Sequence, residues 1–154
     1  MKKILYFIII LIILDLFILG FFFFKIESEK QKLINNFENQ KNQLVYDLGY
    51  VVALFARDKI LSESFPENVR NYLNELVRSD KNLELILISD SSGKVIFSTN
   101  VAYENKQIDE IFSENITSLV DYELKSNEDK IVLNMPISEF NRKILYLRIE
   151  YKRR

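Results

Sequence analysis

The sequence predicts an α+β protein with an N-terminal transmembrane helix, a long stalk helix and a five-stranded antiparallel sheet. Three observations lead there. Residues Ile4 to Phe24 form an apolar run with a single charge and no proline. From Ile26 to about Leu61 proline is absent and apolar residues recur at helical spacing. Beyond Leu83, β-branched and apolar segments alternate with turn signals.

The apolar run reads ILYFIIILIILDLFILGFFFF. At about 1.5 Å per residue it is roughly 31 Å long as a helix, which matches a hydrocarbon core of about 30 Å. A cleaved leader has an apolar core of about 7–15 residues followed by small residues. This run is longer and ends in four phenylalanines and Lys25, so residues 1–25 are expected to stay as an anchor. Asp15 lies mid-span. A central Asp costs about 2.5–3.5 kcal/mol, but each Leu, Ile or Phe returns about 0.3–0.6, so insertion survives it. Asp15 reads either as a contact to a polar or basic group on another membrane helix, or as a protonated carboxyl with water access. Lysines flank both ends, so the positive-inside count does not orient the span.

The chain has no histidine and no cysteine. That removes the usual neutral-pH base, the thiol nucleophile and the His/Cys ligand sets of zinc, iron–sulfur and haem sites. With no disulfides, the fold must rest on its apolar core. Net charge is −1, and the short basic end Lys152-Arg153-Arg154 is no field for nucleic acid. Three glycines leave no material for a phosphate loop, and no serine sits in a nucleophile elbow. Asp109-Glu110 and Glu128-Asp129 lack the spacing of a calcium loop and read as solvated charge. The expectation is a protein that is not an enzyme and carries neither metal nor cofactor.

Within the long helix, residues 26–43 are polar enough for a stalk, and 44–154 should form the folded domain. Leu33, Phe37, Leu44, Leu48, Val51 and Phe55 mark one helical face, expected to pack on the domain or to pair two stalks. Ser64-Phe65-Pro66-Glu67 opens a second helix as a capping box, with Pro66 in the first turn and an end near Ser79-Asp80. Leu83–Ser89 and Lys94–Thr99 form a hairpin around Asp90-Ser91-Ser92-Gly93. Gln107–Phe112 is a short helix. Ser118–Lys125, Lys130–Ile137 and Lys143–Tyr151 are three more strands. The last puts Leu145, Leu147 and Ile149 on one face, and Tyr146, Arg148 and Glu150 on the other.

A long helix leaving a membrane, then an apolar strand with Asp90-x-x-Gly93-Lys94-Val95-Ile96-Phe97-Ser98-Thr99, resembles Cache domains, the PAS-like extracytoplasmic sensor modules of bacterial receptors. Met135-Pro136-Ile137 through Ile149 is a second similar segment. The resemblance implies a five-stranded antiparallel sheet whose concave face and loops hold a small molecule, and a module that faces outward. Such domains usually lie between two membrane helices and feed a cytoplasmic output region. This sequence has no second span and no output domain, so action through a partner protein is expected.

The candidate ligand residues are Ser98, Tyr103, Tyr122, Asn134, Tyr146 and Arg148. The planar fork of Arg148 suits bidentate contact with a carboxylate. The competing reading puts Arg148 and Glu150 on a solvated strand face and the tyrosines at the core's edge. Two functions follow at this level. One is a sensor anchored in the inner membrane with its domain outside the cytoplasm, working with a small ligand and a membrane or signalling protein. The other is a structural single-pass envelope protein, like cell-division stalk proteins, that uses stalk and sheet to bind partners. A cytosolic PAS-like domain on a reversed anchor is a third arrangement.

Overall fold

The structure, a computed structural model, describes residues 2–60, 66–140 and 142–153, without the side chains of 2–5, 7–12 and 58–60. Two compact units divide the chain, Met1–Gln40 and Lys41–Arg154. The first is helical and belongs to α1, which runs Lys2–Ile60. Among the described residues no helix is long and apolar enough to cross a membrane. Eight of the 21 residues of the apolar run lie outside the described side chains, so the expected anchor rests on the sequence.

In the second unit, α2 (Glu67–Ser79) precedes the hairpin β1 (Leu83–Asp90) and β2 (Val95–Ser98). A short helix α3 (Ile108–Phe112) follows, then β3 (Glu123–Ser126), β4 (Lys130–Glu139) and β5 (Arg142–Lys152). The sheet order is β2-β1-β5-β4-β3, with every neighbouring pair antiparallel. Strand alternation gives it two working faces. Ile86, Ile88, Phe97, Ile131, Leu133, Leu147 and Ile149 point to one side, where Val69 and Leu73 of α2 and the end of α1 cover them. The first turn forms as expected: Asp90 Oδ1 accepts from the Ser92 and Lys94 amides at 2.8 and 3.0 Å, and Gly93 takes φ +86°.

Helix α1 packs on the sheet, but not through the expected stripe. Its buried positions are Val45, Gly49, Val52, Ala53 and Ala56. Leu33, Phe37, Leu44 and Val51 are exposed. Leu48 and Phe55 are half-buried at the core's margin, and Phe55 meets Tyr72 of α2 at 5.5 Å between ring centroids. The reason is size. A helix can lie close on a pleated sheet where its residues are small, and a Cβ at Gly49 would stand 2.2 Å from Leu133 Cδ2. Large side chains on that face would hold the two layers apart.

Two smaller expectations are also corrected. Ser64 lies outside the described residues, and Pro66 is itself the N-cap, with no side-chain cap bond. The expected strand from Ser118 shortens to Glu123–Ser126, because Ile116–Ser118 forms a 3-10 turn that buries Ile116 completely. That burial holds the chain off the sheet edge until Glu123.

Gly49→Ala should destabilise the Lys41–Arg154 unit. Overpacking a filled core costs about 1–3 kcal/mol, and the gain in helix propensity offsets at most about 1. Urea unfolding of the full chain checks this, with Gly20→Ala as the control that carries the propensity change without the clash, since nothing lies within 4 Å of that position.

Candidate functional site

The sheet face turned away from α1 carries a second, smaller apolar cluster: Leu85, Leu87, Val95, Ile108, Ile116 and Tyr146. The segment between β2 and β3 supplies Ile108 and Ile116 to it. Strand register then lines up Glu123, Asn134, Arg148, Leu87 and Ser98 across all five strands. A neighbouring row holds Lys125, Val132, Glu150 and Leu85. Polar groups therefore gather at the β3–β4–β5 end of this face, beside the apolar cluster.

Arg148 is the centre of that group. It is only 4% exposed. Its Nε donates to Glu150 Oε1 at 2.8 Å, and its Nη1 donates to Glu114 Oε2 at 2.7 Å and Asn134 Oδ1 at 3.0 Å. The guanidinium carbon lies 3.8 Å from the centroid of the Phe112 ring, a close cation–π stack. Lys130 Nζ donates to the other oxygen of Glu150 at 2.8 Å. Glu114 also receives Asn134 Nδ2 at 3.4 Å and pairs with Lys125 Nζ at 3.5 Å. Lys125 in turn pairs with Glu123 at 3.0 Å.

Local geometry delivers Glu114 to this place. Ser113 ends α3 in the left-handed region with φ 52°, which turns the chain back. Asp109 accepts from the amides of Ile116 and Thr117 at 2.8 and 3.2 Å and bonds the Thr117 hydroxyl. Tyr146 Oη donates to the Thr117 carbonyl at 2.6 Å. Asp109 is thus a loop fastener.

Burial alone would raise the pKa of both carboxylates, yet both are held below the usual range. For Glu114 the Arg148 hydrogen bond and charge prevail, helped by Lys125 and Asn134. For Glu150 the bonds from Lys130 and Arg148 prevail. Lys125 is raised, first by its bond to Glu123. Burial, then the Asp109 charge, raises Tyr146.

Of the sequence candidates, the structure brings Asn134 and Arg148 into contact, with Tyr146 next on the same strand face. Tyr103 stands one layer out, edge-on to Phe112 at 5.7 Å. Ser98 is buried in β2, where its Oγ accepts from the Asn100 amide at 3.1 Å. Tyr122 is apart, half-exposed and in tilted ring contact with Tyr46 at 4.7 Å between centroids. The solvated-face reading of Arg148 and Glu150 is overturned, since Glu150 is only 9% exposed. Glu114, Glu123, Lys125, Lys130 and Phe112 were not expected here. The Arg148-x-Glu150 spacing on one strand face was the available signal. A shallow cleft of about 160 Å³ opens elsewhere, between Tyr50, Leu54 and Arg57 of α1 and Met135–Ser138 of β4.

A five-stranded antiparallel sheet of this order, a long helix on one face and a loop-covered polar patch on the other can be compared with known folds. No family model matches the chain, and no curated protein matches it. Solved structures do. One is a domain assigned to the sensory box/GGDEF family from Vibrio parahaemolyticus, with a TM-score of 0.52, 16% identity, and coverage of 74% of this chain and 54% of that one. Another is the extracellular domain of a protein assigned as a histidine kinase, with a TM-score of 0.50, 19% identity, and coverage of 77% and 51%. The chain shares its fold with these two domains. The chain spans about half the length of each solved domain.

In this fold the Arg148 network should matter for stability. Arg148→Ala leaves Glu150 and Asn134 short of their buried partner and should cost about 3–5 kcal/mol in urea unfolding, whereas Lys125→Ala, at the exposed end, should cost about 0–1. Glu114 and Glu150 titrate below their ordinary 4.5 when folded. Their stabilisation is therefore present above that unfolded value and is lost as pH falls through the folded values. The urea midpoint should be flat between about pH 7 and 5.5 and drop below about 4.5, less steeply in Glu114→Gln.

Proposed function

We propose that this chain is a membrane-anchored, extracytoplasmic ligand-binding module of a bacterial signalling system, which acts through a partner protein. The observation that carries the reading is the fold, a five-stranded sheet with α1 on one face that is similar to two solved domains of sensory proteins, together with the Arg148 group on its other face. The run Ile4–Phe24 supports the anchor. The extracellular position of the kinase domain supports an outside location. Arg148 and Asn134 are the ligand contacts in this reading, with Tyr146 and Tyr103 lining the approach, and Ser98 and Tyr122 further out. Asp15 is the contact within the membrane.

A second reading is favoured by α1 itself. Leu33, Phe37, Leu44 and Val51 are exposed along a helix, and an exposed apolar series at heptad-like spacing suits a second copy or a stalk partner in a structural envelope protein.

Three measurements test these readings. A phosphatase reporter after Arg154 should be active only outside the cytoplasm; activity of a cytoplasmic reporter there instead would defeat the sensor reading. A panel of amino acids, organic acids and amines should contain a compound that raises the melting temperature of the purified full chain. No shift from any of them favours the scaffold. The chain has no native cysteine, so Leu44→Cys gives a clean cross-linking probe. Dimer formation on oxidation in membranes is expected if stalks pair, and its absence, with Glu67→Cys as the off-face control, argues against pairing.

A further inference from the structure

Three strands aim hydrogen-bond donors at one carboxylate that the sheet does not own. Arg148 Nη1 comes from β5, Asn134 Nδ2 from β4 and Lys125 Nζ from β3, and all three meet Glu114. Glu114 enters from the loop and its side chain is 30% exposed. The donors keep other anchors. Arg148 is held by Glu150 and stacked on Phe112. Asn134 is held by Arg148 and faces Glu123 at 3.5 Å. Lys125 is held by Glu123. Taking Glu114 away would leave the donor set standing.

The charges also count. Arg148 and Lys130 balance Glu114 and Glu150, and Lys125 balances Glu123. Removal of Glu114 leaves one uncompensated positive charge beside a buried guanidinium. A carboxylate with one negative charge restores both the neutrality and the acceptor that Arg148 Nη1, Asn134 Nδ2 and Lys125 Nζ share. Among the acidic partners of Arg148, Glu150 is tied by Lys130 as well and sits on the strand itself, so Glu114 is the displaceable one.

We propose that Glu114 is a built-in occupant of a carboxylate-binding site, and that a small organic carboxylate binds this chain by taking its place. The proposal rests on the sensor reading above and adds to it the ligand class and a threshold. The internal carboxylate is tethered, so an external one must reach a high concentration before it wins. Displacement frees residues 113–115 from the sheet, while Asp109 and Tyr146 still hold Thr117. Binding is thereby converted into movement of the loop between α3 and β3.

The test uses the full chain in detergent: wild type, E114A and E114A/R148M, each with sodium acetate against sodium chloride at equal ionic strength. E114A should melt below wild type. Acetate at ten times its dissociation constant should raise the E114A melting temperature by about 4 °C, with a smaller rise in wild type and none in the double variant. In wild type, high acetate should speed amide exchange at residues 113–115 but not at the Asp109-bonded amide of Thr117. Equal effects of acetate and chloride on E114A, or an acetate effect that survives in E114A/R148M, would overturn the proposal. So would unchanged exchange at 113–115 in wild type, a measurement that stands even where E114A does not fold. Acetate rescue of E114A in a protein whose signalling output ignores carboxylates would support the site while counting against the sensor reading.

Discussion

Burial of Arg148 governs one half of this structure. A guanidinium that is 4% exposed is out of reach of bulk water. Leaving it without counter-charges costs several kcal/mol, so the chain must bring carboxylates to it. Glu150 comes at no topological cost, two residues along the same strand face. Glu114 has to be carried in by a loop, and the left-handed turn at Ser113, the Asp109 bonds and the Tyr146 hydroxyl all serve its delivery. Glu150 then holds Lys130 near by, and the outer pair Lys125–Glu123 closes the group at the sheet edge. Such a buried ionic group is weak as a source of stability but strong as a specification of geometry, because each member has few alternative partners.

The other face obeys a steric rule. The sheet presents fully buried Ile86, Ile88, Leu133, Leu147 and Ile149. A helix can seal that surface only by coming close, and Gly49, Ala53 and Ala56 permit the approach. Burial of a few small residues on α1 places a dense core behind the whole sheet, and α2 completes it with Val69 and Leu73. The large residues Leu44 and Val51 are left on the outside of the same helix.

Strand β5 joins the two halves. It lies third in the order, and its successive residues alternate between Leu147 and Ile149 against the α1 side and Arg148 and Glu150 in the ionic group. A change in the partners of Arg148 therefore acts on a strand whose neighbouring side chains form the floor under α1. Under the proposed sensing role this shared strand is the shortest physical connection between an occupied site and the helix that leads back to the apolar N-terminal run.

Much of this could be read from the residues alone. Apolar and β-branched runs at Leu83–Ser89 and Lys130–Ile137, the alternation in Lys143–Tyr151 and the Asp90-Gly93 turn pointed to the strands and the hairpin, because local backbone preference and patterning act over a few residues. The same alternation put Tyr146, Arg148 and Glu150 on one face. It could not say whether that face was wet. Burial there is decided by Phe112 and Glu114, more than thirty residues away in sequence, and only tertiary contact brings them over the strand. The face of α1 that packs was likewise out of reach: a periodicity count weights large apolar residues, whereas close packing selected the small ones. The sequence alone pointed to most of the helix and strand segments and to Ile4–Phe24 as an apolar run with one charge. Tertiary structure decided which surfaces meet, since complementarity of size and charge between distant segments is a property of pairs that no single segment carries.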